Sequence, residues 1–442
     1  MPKQHNNQTQ SVIQIEYRTN SDSYFLSLSA LDHPVWLDSG KPLSTYGRFD
    51  ILCAAPTEIL RNPSVEALEE SFESVQAYTP HELTNNEQLP FVGGVIGYFN
   101  YEFNAEAFGI EPKDRRTASY FGVYHWALIQ DHKDKTAHLV FTDFCNEKFR
   151  AFILETLSLP INIPEPDFFV DGFSADLSKE DYLENFDKIK RHIIAGDTYQ
   201  INYAQRFSGN FSGNSLDAYL SLRKVMPSPF SAYLKLGEDA VLSLSPERFI
   251  QIDGSKAKTQ PIKGTAPRGL SSEEDKDLAK RLKNSEKNRA ENVMIVDLLR
   301  NDFSQSCQPN SVTVPKLFEL ESFANVHHLV STVEGEISSG ISPLTFFLRC
   351  FPGGSITGAP KKRAMEIIQT LEDHPRNIYC GAIGYMSVNG KFDSNIAIRT
   401  LLINEEKIYC WGGGGIVADS DPEEEYQESL QKIGILMEAL SP

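Results

Sequence analysis

Phe230-Ser-Ala-Tyr-Leu-Lys-Leu236, Ala240-Val-Leu-Ser-Leu244 and Phe249-Ile-Gln-Ile252 are three short runs rich in aromatic and β-branched side chains, spaced as consecutive strands. Directly after them, Ser272 to about Ser306 reads as two successive helices, the second carrying Val293, Ile295, Val296, Leu298 and Leu299. Strands grouped with strands and helices kept apart favour an α+β fold over a doubly wound parallel sheet, which would alternate the two.

Outward from there, Val12 to about Leu157 is mostly strand-like, with runs Phe25 to Ser29, Val35 to Leu37, Phe121 to Leu128 and Ala137 to Thr142 and few helical signals. Leu159 to Phe173 holds Pro160, Pro164 and Pro166 and reads as a connector. Ser178-Lys-Glu-Asp181 opens a helix that Gly196 stops. The expected regions are therefore 12–157 and 178–440. Gly-rich turns are expected at Gly93-Gly94, at Gly353-Gly354 with Gly358, and at Gly412 to Gly415.

The chain has 442 residues and a formal charge of −18. That balance argues against general nucleic-acid binding, which needs clustered Lys and Arg in excess. Met1 to Gln10 lacks the basic-then-apolar order of a secretory signal, and the apolar stretches Phe91 to Tyr101 and Tyr379 to Gly390 are too short to span a bilayer. Six scattered cysteines form no CxxC pair, as expected of reduced thiols in a cytoplasm. A cytoplasmic protein with no membrane and no nucleic-acid partner is the expectation.

Chemistry concentrates in the second half. On the last helix, Asp421-Pro422 caps acidic Glu423 to Glu425, and at 100° per residue Glu425, Glu428 and Lys432 share a stripe. A solvated charged face is the plain alternative. Ile435, Leu436 and Ala439 continue the stripe, however, which favours a cavity lined by those three charges. Paired carboxylates without His or Cys suit a hard cation such as Mg²⁺. Glu291, beside an aliphatic run, needs a cationic or metallic partner. Pro352-Gly-Gly-Ser-Ile-Thr-Gly-Ala-Pro360 precedes a helix, with Pro360 expected in its first turn, and is open to an anion-binding or a purely structural role. Lys263, between Ile262 and Gly264, is either solvated or a desolvated nucleophile, and Glu247 on a neighbouring strand is a candidate acid/base.

Ser245-Pro-Glu-Arg-Phe249, Gln260-Pro-Ile-Lys-Gly-Thr265, Glu291 through Asp302, His328-Leu-Val-Ser331, Pro352 through Lys361, Ala397-Ile-Arg-Thr400 and Glu425-Tyr-Gln-Glu428 with Lys432 together resemble the chorismate-utilising enzymes, in correct order from Ser178 to Leu440. Gly93-Gly94 through Tyr101-Glu102 resembles the amino-terminal part of component I of anthranilate and aminodeoxychorismate synthases. Lys263, where anthranilate synthases typically have Ala, and the Gly353-Gly-Ser-Ile-Thr357 loop are similar to the aminodeoxychorismate branch.

The resemblance implies an anthranilate synthase component I-like α+β fold. Large mixed or antiparallel sheets would pack as a sandwich with helices outside, and the two regions would intertwine as one globular unit. It implies an enzyme that converts chorismate and ammonia to 4-amino-4-deoxychorismate, in the para-aminobenzoate branch of folate synthesis. Lys263 would be the nucleophile, Glu247 the proton donor and acceptor, and Mg²⁺ would be held by Glu291 and Glu428 with Glu425 close by. Tyr379, Arg399, Lys432, Thr265 and the backbone at Gly413 to Gly415 would bind substrate. His328 resembles a family histidine near the reacting ring, with a hydrogen-bonded structural role as the alternative. No Cys-His glutaminase constellation is present, which implies a separate glutamine amidotransferase subunit (component II) as the ammonia source. Ser39, Tyr46, Gly47, Arg48, Phe49, Pro229, Phe230 and Ser231 are similar to a tryptophan pocket of related proteins. Anthranilate synthase, isochorismate synthase, or a non-catalytic binder of chorismate or tryptophan are the alternatives.

Overall fold

A computed structural model describes residues 10–40, 46–113, 118–160, 165–322 and 326–441. Met1 to Thr9, and Pro164 of the expected connector, lie outside the described residues. Two large sheets dominate, one of 12 strands and one of 10, and every strand pair between named strands is antiparallel. Each sheet draws strands from both halves of the sequence. Val35–Asp38 pairs with Phe230–Leu236 in the larger sheet, and Gly94–Phe99 pairs with Ala382–Ser387 in the smaller one.

Strand alternation explains the packing. Phe249 and Phe392 of the smaller sheet pack against Phe347 of the Pro343–Cys350 helix. Ile51, Cys53, Ala127 and Ile129 of the larger sheet join the core cluster to which Ile96 of the smaller sheet belongs. Their neighbours Leu52, Trp126 and Leu128 point the other way, onto a helical layer contributing Phe25, Ile153, Leu222 and Leu436. Strands buried on both faces read as nearly continuous apolar runs, and so the first half looks so strand-rich in sequence. The result is a sheet sandwich with helices outside.

That same reading fails at several places. Phe25–Ser29 is no strand: Asp22–Leu28 is a helix burying Tyr24, Phe25 and Leu28 on one face. Val65–Ala77 and Glu147–Ser158 are also helices. Their N-caps Ser64 and Asn146 accept from the backbone N–H groups of Ala67 and Phe149. The Phe121 to Leu128 run is two strands, Tyr120–Tyr124 and Trp126–Asp131, separated at His125. The expected connector ends in a strand, Phe168–Ala175, paired with Gln200–Gly213. Pro360 stands before its helix, Lys361–Leu371, rather than in the first turn.

Candidate active site

Two crossings between the sheets, a bulged strand and the last helix bring the second-half motifs together. The chain leaves the larger sheet after Asp239–Ser245, passes through Glu247, and enters the smaller sheet at Arg248–Asp253. It returns between Lys391–Asn395 and Thr400–Asn404 through Arg399. The two crossings lie side by side: Ile396 N–H donates to the Glu247 carbonyl at 3.0 Å and Leu244 N–H to the Arg399 carbonyl at 3.0 Å.

Lys263 sits on the Ile262–Pro267 strand, where the register with Val326–Glu336 shifts between Ile262 and Thr265. The irregularity encloses Lys263 and Gly264, and Gly264 has φ +85°. A β-bulge of this kind re-aims a side chain. Among the described residues the Lys263 amine has no hydrogen-bond or ion-pair partner, and burial holds its pKa below the ordinary lysine value against the opposing charges of Glu247 and Glu291. Glu247 is buried, and burial lifts its carboxyl to about 7 despite the Lys263 charge, the Ile262 N–H, the Ser355 hydroxyl and Arg399. A carboxyl close to half protonated near neutral pH, beside a depressed lysine, is the pairing that acid/base and nucleophilic work both require.

A methyl group at Gly264 would be strained by the positive φ and would lie 3.0 Å from Asn288 and Leu282 atoms. Gly264→Ala is expected to cost about 1–3 kcal/mol of stability. It should also lower kcat more than a fall in folded fraction explains. Thermal melts alongside kcat per folded enzyme check this, and unchanged kcat would mean the bulge does not aim Lys263.

His328 lies opposite Thr265 in the strand pair, with Nδ1 2.9 Å from Thr265 Oγ1. Burial and the Arg399 charge push the imidazole down to about 4, so it is neutral near pH 7. Arg399 is held at φ +51° and its Nη1 approaches Met226 Sδ at 3.9 Å. Among the described residues no carboxylate lies within ion-pair distance of its guanidinium. Such a desolvated cation is suited to an anionic ligand. Tyr379 is buried and stacks on Trp411, ring centroids 6.0 Å apart and 6° from parallel.

Gly412 to Gly415 form no turn. They belong to the Lys407–Ile416 strand, with Ala204 opposite Gly413 and Asn202 opposite Gly415. Close approach explains the glycines: a Cβ at Gly412 would lie 2.2 Å from the Ser429 carbonyl oxygen of the last helix, and one at Gly415 3.0 Å from the Gln200 amide. At Gly414 a Cβ would lie 3.0 Å from Glu425 Oε2, 3.6 Å from Lys432 Nζ and 3.8 Å from Glu428 Oε1. The missing side chain thus leaves a cradle where two carboxylates and an ammonium meet.

The last helix, Pro422–Leu440, buries Glu425, Ser429, Ile433, Leu436 and Leu440. Its buried face includes Glu425, while Ile435, expected to continue the charged stripe, is exposed. Glu425 accepts from Ser420 at 2.7 Å, and burial raises its pKa, with Glu428 adding to the rise. Half-exposed Glu428 pairs with Lys432 at 2.7 Å, and that ammonium holds the carboxyl low against the opposing effect of burial. Lys432 also donates to the Gly413 carbonyl at 2.9 Å. Among the described residues no three His, Cys, Asp or Glu side chains form a metal-holding group unaided. Glu291, on the Glu286–Ser304 helix, and Glu428 both act on Lys263 through their charges, so the lysine lies within electrostatic reach of carboxylates from two helices. Carboxylate oxygens with no His or Cys among them fit Mg²⁺, a hard cation that completes its shell with waters or substrate oxygens, better than a metal that needs a closed cage.

A family profile described as chorismate binding enzyme matches residues 32–438. The chain belongs to the chorismate-binding enzymes. Among these, aminodeoxychorismate synthase component 1 of Escherichia coli is 40% identical over 97% of this chain and 98% of its own length. The Klebsiella aerogenes protein of the same name is 39% identical over 97% and 99%. The solved structure of anthranilate synthase component I from Streptococcus pneumoniae superposes with a TM-score of 0.79 at 31% identity, covering 89% of this chain and 93% of that one. This member of the family therefore shares the anthranilate synthase component I architecture expected from its motifs.

Ser355, Gln200 and Gly414 carry no individual signal in the sequence. Ser355 sits inside the Pro352 to Pro360 motif, and its hydroxyl reaches Glu247. Gln200 is fully buried and neither amide atom has a partner among the described residues. Nothing local in the sequence marks it.

Of the residues similar to a tryptophan pocket, Tyr46, Arg48, Phe49, Pro229, Phe230 and Ser231 line one cavity of about 850 Å³ between the sheets. Ser39 and Gly47 adjoin each other, and Ser39 donates through N–H and Oγ to buried Asp50 at 2.8 and 2.6 Å.

Proposed function

We propose that this chain aminates chorismate at C4, as an aminodeoxychorismate synthase component 1. The observation that carries the reading is the unpaired, desolvated Lys263 aimed by a bulge and coupled to a Glu247 carboxyl near pKa 7. Near-full-length similarity to bacterial proteins of that name supports it.

Chorismate is a dianion, and Arg399, Lys432 and backbone N–H groups near Gly413 and Gly415 are the groups that would bind its carboxylates. Glu291, Glu428 and Glu425 would hold Mg²⁺, which when bound supplies positive charge against a ring carboxylate. The Lys263 amine adds to C2 of the ring, both ring double bonds shift, to C1=C6 and C4=C5, and the C4–O bond breaks while Glu247 gives its proton to the departing hydroxyl as water. Ammonia then attacks C4, both double bonds shift back, and the C2–N bond breaks to release the lysine as a neutral amine. The surplus ammonia proton returns to the Glu247 carboxylate. Neutral His328 and Thr265 hold the strand that carries the lysine.

A glutamine amidotransferase subunit is the proposed ammonia source, the cavity at Tyr46 and Phe230 the proposed tryptophan site, and the cytoplasm the proposed location. The six free, buried cysteines support the last. No helix among the described residues is long and apolar enough to cross a membrane.

The test is incubation with chorismate, Mg²⁺ and an ammonium salt, with products identified by mass. An aminated product that keeps its enolpyruvyl group is expected. Release of pyruvate with a fluorescent aromatic acid, or formation of isochorismate, would overturn the assignment.

A further inference from the structure

Arg376 belongs to none of the motifs above and is assigned no contact with substrate, yet its side chain is only 1% exposed. Its Nε and Nη2 donate to Glu372 at 2.8 and 2.6 Å, Nη1 donates to the Ile356 carbonyl at 2.8 Å, and Nη2 donates to the Asn202 carbonyl at 2.5 Å. Glu372 Oε1 in turn accepts the Ala204 N–H at 3.0 Å. The guanidinium plane lies over Tyr101 at 4.7 Å and near the Tyr379 ring at 5.9 Å.

The Ile356, Asn202 and Ala204 groups each sit one step from the site. Ile356 follows Ser355, the hydroxyl that reaches Glu247. Asn202 and Ala204 lie opposite Gly415 and Gly413. A buried Arg–Glu pair adds little net stability compared with apolar residues of the same volume, because desolvation offsets the attraction. What its planar fork does supply is fixed geometry among several acceptors, which a lysine ammonium cannot reproduce.

We infer that Arg376, held by Glu372, is a positioning residue that locks the Ser355 loop, the Gly413–Gly415 strand and Tyr379 at one spacing and so sets chorismate capture. The inference rests on the reading of this site as the chorismate site.

Arg376→Lys keeps the charge and removes the fork. Amide hydrogen exchange should quicken in the Gly353–Thr357 loop and at Gly412–Ile416 while the Phe230–Leu236 strand stays as in wild type. With chorismate, kcat/KM should fall about 100-fold, chiefly through KM, the scale expected of an ångström-sized misplacement. A lower melting temperature with wild-type KM per folded enzyme, or exchange raised evenly across the molecule, would overturn the inference. Should wild-type protein not turn chorismate over, the substrate reading fails, and the exchange pattern still decides the positioning claim by itself. Should Arg376→Lys not fold, Glu372→Gln, which keeps an acceptor for Ala204 N–H but weakens the fork, is judged on the same two readouts.

Discussion

Lys263→Ala is expected to abolish the covalent enzyme–substrate adduct and to lower kcat on the order of 10³-fold or more, the scale on which removing a nucleophile acts. The wild-type amine is poised for addition because burial depresses its pKa and the bulge leaves it unpaired. Rapid quench of wild type with chorismate and Mg²⁺, followed by mass analysis of the Lys263 peptide, should show chorismate less one water. The alanine variant should show none, yet still bind chorismate through Arg399 and Lys432. If wild type never accumulates the adduct even when ammonia is withheld, the nucleophile role fails.

Glu247→Gln should lower kcat by about 10²–10⁴-fold, the usual contribution of a positioned acid, and should change the pH profile in a defined direction. As an acid, Glu247 works protonated, so its limb of activity falls as pH rises through about 7. Lys263 works unprotonated, so activity rises with pH through its lowered pKa. The pair titrates together, and the bell belongs to both groups. In the glutamine variant the falling limb should vanish.

Stability offers a second readout with its own sign. The folded pKa of Glu247 is raised from 4.5 to about 7, so its favourable contribution is complete below pH 4.5 and is lost as pH rises through 7. A shift of that size corresponds to about 3 kcal/mol. Melting temperatures of Glu247→Gln should therefore decline less than wild type between those pH values. Parallel curves would place the acid elsewhere.

Legibility of the sequence varied with how local each signal was. Caps and periodicity sufficed for the helices Lys179–Ile194, Ser272–Asn284, Glu286–Ser304 and Pro422–Leu440. Phe25 misled because an apolar run of a few residues satisfies a helix or a strand equally. Gly412–Gly415 misled for the opposite reason. Glycine disfavours strands locally, and the crowding that requires it comes from distant chain: the Ser429 carbonyl at Gly412, the Tyr203 carbonyl at Gly413, the Glu425 carboxylate at Gly414 and the Gln200 amide at Gly415. On that helix Glu425, Glu428 and Lys432 do meet over Gly414, and the expected stripe departs only at Ile435, which is exposed while Leu436 is buried.

Arg376 carried no local signal at all. A single Arg after His-Pro reads as a solvated turn, and its burial follows only from the Glu372, Ile356 and Asn202 groups that surround it.

The sequence by itself determined the α+β class, the chorismate-binding family and the chemical types available at the site. Apolar periodicity and contiguous motifs survive in any short window of chain. The tertiary structure alone decided which groups meet: Glu247 beside Arg399 on paired crossings between the sheets, Lys263 turned by its bulge, and Glu425, Glu428 and Lys432 converging over Gly414. Those meetings depend on antiparallel pairing between strands far apart in the chain, and a long-range register leaves no period in the residues that obey it.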